Sequence, residues 1–340
     1  MIAASKGRKD MFDLLLENRA DLSLVGNIGN NILHTVCEGG NMELVKHILA
    51  QNIVEINSQT DNGWTPAMKA ASEGHKEVLK LLVSKGADLS LVNNVDNNIL
   101  HVAFENRHAE IVKYILTYDL VDVNSRSGEG MTPVMFAALE GSVEMFDFIN
   151  AVNINGKNVD GKTPVLMAAV RGYKDKFDLL VSEGADLPIV DAKGETILHR
   201  VSVVGNVDIV KHALSQKNIV QDINRKGEQD RTPVMVAAIS GHKEVFDLLV
   251  KKGADLTLVD RDGNSILHLA ARGVNVDIAK YLLSHNNVDI NGKGAEIHGH
   301  NETGQQEGEH NWTNGDANPC PNALSPNLTG DEANRHSRRR

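Results

Sequence analysis

Apolar residues come along this chain in paired short clusters separated by polar turns. In each pair the first cluster follows a Thr, Asn or Ser and runs for about two helical turns. The second, as in His242-Lys-Glu-Val-Phe-Asp-Leu-Leu-Val250, places Val245, Leu248 and Leu249 on one helical stripe. Proline, where it follows the cap, takes the first helical position, whose amide has no partner in any case. Gly74, Gly141, Gly172, Gly205 and Gly241 end the first helices, Gly253 ends a second one, and turns such as Asp61-Asn62-Gly63 join the units. The pattern predicts antiparallel helix pairs.

The pairs repeat at about 33 residues and alternate between two types. One opens on Thr65-Pro66, Thr132-Pro133, Thr163-Pro164 or Thr232-Pro233; the other opens on Asn31, Asn98, Thr196 or Ser265 followed by Ile-Leu-His, which ends at His34, His101, His199 and His268. Thr65 to Thr132 and Asn31 to Asn98 both span 67 residues, and Thr163 to Thr232 and Thr196 to Ser265 both span 69, so a two-repeat cassette has been duplicated. Thr132 to Thr163 spans only 31 and ends in Val152-Asn153-Ile154-Asn155, the ending of the other type, as expected of two repeats fused with loss of one length. A lone helix pair cannot cover its own apolar face, so the copies must stack in a one-dimensional rod.

These blocks resemble the ankyrin-repeat family over residues 1 to about 294. The resemblance implies an all-α solenoid of stacked helix-turn-helix units with short β-hairpin-like turns. It divides the chain into a partial N-terminal repeat at 1–25, an array of about eight repeats at 26–294 and a disordered polar tail at 295–340. The family's Thr-Pro-Leu-His block is split here between the two types, because Met68, Met135, Leu166 and Met235 stand in the histidine's place. By resemblance, a threonine hydroxyl bonds the histidine ring; Thr196 with His199 and Ser265 with His268 keep that pair, and Asn31 and Asn98 offer an amide in its stead. Layers bearing methionine rely on apolar packing.

Ala3-Ala4-Ser5-Lys6-Gly7 matches Ala70-Ala71-Ser72-Glu73-Gly74 at the 67-residue offset, which places Met1 on Met68, inside a first helix. The expectation is an internal methionine of a longer chain, or a partner over that end. Beyond Gly294 the periodicity stops, and Pro319, Pro321 and Pro326 stand among Gly, Asn, Glu and His. Acceptor-like triplets at Asn301, Asn311 and Asn327 read as chance, and the four arginines from Arg335 to Arg340 are outweighed by seven acidic residues between Glu296 and Glu332.

Composition narrows the function. Aromatics are 4% against 41% hydrophobic residues, so burial is expected from Ala, Val, Leu, Ile and Met in thin layers. The net charge of −10 disfavours nucleic acid and membrane surfaces as partners. Cys37, in a helix, and Cys320, in the tail, support neither a disulfide framework nor a metal cluster, which fits the cytosol, with the nucleus also open. The start carries no apolar leader, and no apolar run approaches the ~18 residues of a membrane span.

Gly156-Lys-Asn-Val-Asp-Gly161-Lys162-Thr163 formally matches a phosphate-binding loop. It coincides with the repeat's own turn and cap, Gly161 and Thr163 matching Gly63 and Thr65, and no βαβ unit surrounds it. The four repeat histidines form a ladder and not the convergent cluster a metal needs. Cys37 takes an alanine's place, matching Ala71. No catalytic, cofactor or metal site is expected, and no small-molecule substrate.

A ridge of turn tips and the outward side of the first helices, on the concave face, is left for recognition, as the resemblance implies. Its candidates at the tips are Asp61, Asn62, Trp64, Glu129, Met131, Asp160, Lys162, Lys193, Glu195, Glu228, Arg231, Arg261, Asp262 and Asn264; on the first helices they are Glu73, Glu140, Arg171 and Arg272. Trp64 is the favoured anchor, since a turn tryptophan buries much area at small entropic cost. The expectation is a non-enzymatic scaffold or adaptor, monomeric or a subunit of a complex. Two alternatives stay open within binding: a regulatory or targeting subunit of a larger enzyme such as a protein phosphatase, and a fragment of a multidomain ankyrin protein. A nucleotide-binding protein using the 156–163 loop is the rival from another class.

Overall fold

The computed structural model describes residues 1–140, 143–146 and 152–284, apart from the side chains at 143, 144, 217 and 218. All lie in one compact unit, Met1–Glu296. The expected tail at 295–340, with Cys320, lies outside these residues, and so does Gly141.

The paired clusters fold as helix pairs in chain order. First helices are α1 (Ile2–Ser5), α3 (Ile32–Gly39), α5 (Pro66–Ser72), α7 (Ile99–Glu105), α9 (Pro133–Leu139), α10 (Pro164–Val170), α12 (Ile197–Val204), α15 (Pro233–Ser240) and α17 (Ile266–Arg272). Second helices are α2 (Lys9–Glu17), α4 (Met42–Gln51), α6 (Lys76–Ser84), α8 (Ala109–Thr117), α11 (Lys174–Ser182), α13 (Val207–Ala213), α16 (Lys243–Lys251) and α18 (Val276–Ser284); after α9 the described part is a 3-10 turn, Val143–Phe146. A short α14 (Lys217–Val220) follows α13. Each first helix packs on the first helices before and after it and on its own second helix, so apolar faces are buried between neighbours, as the repeat pattern requires. The turns are hairpin-like, with isolated antiparallel bridges at Val190 with Thr196 and Val259 with Ser265.

Local chemistry fixes the helix ends. Pro66, Pro133, Pro164 and Pro233 occupy first positions after threonine caps. Gly205 and Gly241 are left-handed C-caps, with φ of 77° and 81°. Their lack of a side chain has a second cause: a Cβ at Gly205 would stand 2.3 Å from the His242 ring, and one at Gly241 2.4 Å from Asn275 Oδ1.

The core differs from expectation in two details. In α16 the buried stripe is Val245, Phe246 and Leu249, while Leu248 is half-buried, because the face toward α13 and α18 also takes the position after Val245. Phenylalanines 12, 104, 136, 146, 177 and 246 join the aliphatic layers in the core, so scarce aromatics still supply some of its largest side chains. At the first repeat, Met1, Met11 and Leu15 are exposed, whereas their equivalents one cassette on, Met68, Val78 and Leu82, are buried under a preceding repeat.

One core position of the described second helices carries a charge. Leu44, Val78, Ile111, Met145, Ile209, Val245 and Ile278 are buried at the same place in their second helices, and Lys176 takes that place in α11 with 6% exposure. Its ammonium donates to the Ala138 carbonyl at 3.3 Å and lies 3.9 Å from the centre of the Tyr173 ring. Burial pushes it down to about 8, although Glu140 nearby opposes the shift. The unfolded chain, with its lysine near 10.5, therefore binds more protons than the folded one between those values, and stability rises as pH climbs from 8 toward 10. Replacing the ammonium by the apolar group found in the other repeats removes this cost. Lys176→Ile is expected to raise the unfolding free energy at pH 7 by about 1–3 kcal/mol and to flatten its rise between pH 8 and 10. Urea denaturation at several pH values measures both, and a variant less stable than the parent would contradict the account.

Candidate functional site

The recognition ridge is held by three sets of polar contacts between successive repeats. The first is made by the Ile-Leu-His blocks. The Nε2 of His34, His101 and His199 donates to the carbonyl of Trp64 at 2.9 Å, of Met131 at 3.1 Å and of Arg231 at 3.0 Å, each just before the next repeat's cap. Because a carbonyl can only accept, the ring proton sits on Nε2, and Nδ1 accepts from its own repeat's cap. Thr196 Oγ1 donates to His199 Nδ1 at 2.8 Å, and Ser265 Oγ to His268 Nδ1 at 2.7 Å. The backbone amides of Asn31 and Asn98 donate to Nδ1 at 3.3 and 3.2 Å, while their Oδ1 atoms accept the His34 and His101 backbone amides at 3.1 Å each and their Nδ2 groups donate to Ser58 and Ser125. The expected hydroxyl partners are in place at Thr196 and Ser265, whereas the Asn31 and Asn98 side-chain amides turn to Ser58 and Ser125 and leave the ring to their backbone N–H groups.

Where methionine replaces histidine, the sulfur accepts the cap amide instead, at 3.4 Å for Thr132 with Met135 and 3.5 Å for Thr232 with Met235. Sulfur is a weak acceptor, and the Thr132, Thr163 and Thr232 hydroxyls are buried without a hydrogen bond.

The second set was not read from the sequence. At the start of the second helices, His75, His108 and His242 donate from Nε2 to the carbonyls of Glu38, Ser72 and Val203 at 3.0, 2.7 and 2.9 Å. Asn41, Asn206 and Asn275 donate from Nδ2 to those of Gly7, Gly172 and Ala238 in the same way. Tyr173 holds this place in α11's repeat, and Lys176 supplies the bond there. The signal was available: Asn41, His75, Asn206 and His242 each follow the helix-ending glycine, and His108 and Asn275 hold the same place after Arg107 and Val274.

The third set joins the tips themselves. Asp61 N bonds the Ile28 carbonyl, Asn94 N that of Asn62, Gly128 N that of Val95, Val159 N that of Glu129, Ala192 N that of Asp160 and Arg261 N that of Gln229, at 2.7–3.2 Å. Within most tips a side chain accepts the turn amides, for example Asn93 Oδ1 from Val95 and Asn97, and Asp191 Oδ1 from Lys193 and Glu195; Gly26 and Gly227 stand at that place in their tips.

On this frame Asp61, Asn62, Glu73, Glu129, Asp160, Lys193, Arg261, Asp262 and Arg272 are exposed. Trp64, Glu140, Lys162, Arg171, Glu228 and Asn264 are half-buried. Lys69 places its ammonium 5.2 Å from the centre of the Trp64 ring, Arg107 and Arg171 both bond Glu140, and Lys193 pairs with Glu228 at 3.2 Å. Three candidates are corrected: Met131, Glu195 and Arg231 are 5%, 1% and 3% exposed, so their side chains are not contact surface. They precede the cap, where the hairpin arm turns the side chain inward. Glu195 and Asp191 flank Arg200, and burial, strengthened by Asp191 and Glu228, holds the Glu195 carboxyl above its usual range despite Arg200.

The apparent phosphate loop is a tip like the others. The amides of Asp160 and Lys162 bond Asn158 Oδ1, that of Gly161 bonds the Asn158 carbonyl and that of Val159 bonds Glu129, so the donors a phosphate would need are already used. Cys37 is buried, and burial raises its thiol far from reactivity. Among the described residues no group of three or more His, Cys, Asp or Glu could hold a metal ion, and no helix is long and apolar enough to cross a membrane.

A profile described as ankyrin repeats in three copies matches residues 1–93, 87–157 and 201–294. Among relatives, human transient receptor potential cation channel subfamily A member 1 is 31% identical over 253 residues, which are 71% of this chain and 22% of that protein. An ankyrin repeat protein of Acanthamoeba polyphaga mimivirus is 24% identical over 291 residues, 76% of this chain and 38% of its own length. The Caenorhabditis elegans ankyrin repeat and KH domain-containing protein mask-1 is 28% identical over 290 residues, 83% of this chain and 11% of that protein. The chain thus spans well under half the length of each.

Two outcomes follow from the cap chemistry. Thr196→Val removes a bonded hydroxyl and is expected to cost about 1–2 kcal/mol, while Thr232→Val removes an unbonded one and stays within about 0.5 kcal/mol of the parent in urea denaturation. Burial pushes His101 and His199 down to about 4, against the bonds to Met131 and Arg231 that raise them. The unfolded chain then takes up protons first, and stability is lost as pH falls from 6.5 through 4. In NMR titration their ring resonances should not move above pH 5; movement centred near 6.5 would contradict the buried pairing.

Proposed function

The chain belongs to the ankyrin-repeat family, whose arrays are scaffolds for protein–protein interaction, and we propose that it works as a non-enzymatic adaptor that holds a protein partner along its tip ridge. Members of this family are generally interaction modules without catalytic chemistry. What supports the reading is one observation: side chains that differ from repeat to repeat project from tips whose backbones are bonded to one another, while the invariant groups are spent on holding the stack.

Such a ridge presents Asp61, Asn62, Glu73, Glu129, Asp160, Lys193, Arg261, Asp262 and Arg272 with little freedom to reorganise, and a rigid surface loses less entropy on binding. Trp64, Lys162, Arg171, Glu228 and Asn264 add half-buried area beside them. The Trp64 ring, steadied by Lys69, is the proposed anchor. We place the adaptor in the cytosol or nucleus, where the free Cys37 stays reduced, and propose no nucleic acid or membrane surface as partner on the strength of its net charge of −10, and no small-molecule substrate.

The purified chain and a variant carrying Asp61→Ala, Asn62→Ala, Trp64→Ala and Glu129→Ala, compared as bait in affinity capture with mass spectrometry, test the ridge. At least one protein should be retained tenfold or more above the variant's level. Equal retention of every protein by both baits would sink the proposal.

A further inference from the structure

Among the described residues the tip ladder has one open step. Each tip offers the carbonyl of its third residue to the amide of the second residue in the next tip, as Asp160 does to Ala192 and Gln229 to Arg261. Between the tips at 191–196 and 227–232 the corresponding groups are the Lys193 carbonyl and the Glu228 amide, and these are not bonded. The cause is local. Where Asn93, Asn158, Asp191 and Asp260 carry the acceptor that organises their tips, this tip has Gly227, because a Cβ there would stand 2.9 Å from His199 Nε2 and 3.1 Å from Glu195 Cγ. This tip closes as a 3-10 turn in which Gln229 and Asp230 are both left-handed, with φ of 56° each. Neither is glycine, and two such residues in succession strain the backbone.

A second observation is independent of the hydrogen bonds. A Cβ built at Gly29, Gly63 or Gly161 would meet the next tip's backbone at 2.7–2.8 Å, and one at Gly130 would meet it at 3.2 Å. At Gly194 nothing lies within 4 Å. The gap is polar and slightly acidic. Arg200 is held by Asp191 and lies 3.1 Å from Glu195 Oε2, which is buried and accepts no hydrogen bond; Gln229 Oε1 is likewise buried and unbonded. Over the gap lies the Lys193–Glu228 ion pair, accessible to solvent.

We propose that the gap between Gly194 and Glu228 is a docking notch for an extended peptide segment of a partner protein. The peptide backbone supplies the missing rung, an N–H to the Lys193 carbonyl and a C=O to the Glu228 amide, and a basic side chain takes Glu228 over from Lys193. One vacant acceptor and one vacant donor at a strand-like step are what a peptide unit satisfies when it adds to a sheet edge. Glu228 is the acidic group at the rim, with Asp191 and Glu195 buried behind it against the single Arg200, which favours a cationic side chain beside that backbone. This rests on the ridge as the binding surface and narrows it to one step.

Selection of a random linear peptide display library on the full purified chain, with residue-resolved amide hydrogen exchange, tests it. In the free chain the Glu228 amide should exchange at least tenfold faster than those of Ala192 and Arg261. Selected peptides should be rich in Lys or Arg and slow Glu228 exchange at least tenfold on binding. Gly194→Asn, which keeps a left-handed residue and fills the gap, should weaken them tenfold or more, and Glu228→Gln at least threefold. The proposal is overturned if Glu228 is already as protected as its neighbours, if no selected peptide protects it, or if Gly194→Asn binds as well as the parent. Peptides kept by Gly194→Asn but lost from the variant altered at Asp61, Asn62, Trp64 and Glu129 would sink the notch and leave the ridge standing.

Discussion

The array depends on a buried imidazole that belongs to two repeats at once. Each histidine of the Ile-Leu-His blocks takes its position from its own cap, and His34, His101 and His199 give their remaining proton to the backbone of the following repeat. A ring with both nitrogens satisfied can be buried with little loss, whereas a charged or half-satisfied one could not. The bond also lands on the residue just before the next cap, so it sets where the next first helix begins as well as how closely it stacks. Apolar burial drives the copies together; the imidazole specifies their register.

That register survives weaker layers between the strong ones. In the Thr-Pro repeats, sulfur stands where imidazole would, and three threonine hydroxyls are buried without a bond. In α11 a lysine occupies a core position and takes over the backbone contact that a histidine or asparagine makes elsewhere. In a stack stabilised by nearest-neighbour interfaces, a poor layer lowers only its own two interfaces. Alternation places a histidine layer on both sides of the Met68 and Met235 layers, and the exception is the junction of Thr132 and Thr163, where two Thr-Pro repeats adjoin, the second carrying Lys176, and each has a histidine layer on one side only. The defect and its polar repair lie at the same junction.

The repeats, the caps and the helix-ending glycines were legible in the sequence because each is a local requirement that recurs at fixed spacing. Thr196 and Ser265 could be paired with His199 and His268 for the same reason, three residues apart on one helical turn. Side-chain direction at the tips was not legible. Asp61, Asn62 and Trp64 look alike as polar turn residues around a glycine, yet the residue before the cap faces inward: Met131, Glu195 and Arg231 are buried at that position and Trp64 is half-buried. The hairpin arm alternates direction residue by residue, and a six-residue turn is too short to show a period of two. The bonds made by His75, His108 and His242 were missed because their partners lie 36 to 39 residues back, a distance that only stacking converts into contact. Phe246 was passed over for Leu248 because a helical stripe read from one helix ignores which side its neighbours occupy.

The division of labour between core and tips also explains why a departure at a tip is more telling than one in the core. Core departures here are compensated: a sulfur for a nitrogen, an ammonium for an imidazole. At Gly227 the opposite holds, since the turn's usual acceptor is missing, two left-handed residues follow, and the bond to the preceding tip is absent. The steric cause lies one repeat earlier, in the buried His199 and Glu195 that leave no room for a Cβ. The same imidazole fixes the deep contact between these two repeats, through Arg231, while the shallow one is absent. Register is held at the base of the step while its rim stays open, which gives a polar ridge that is otherwise continuous among the described residues a place where another chain's backbone could be read as the next strand.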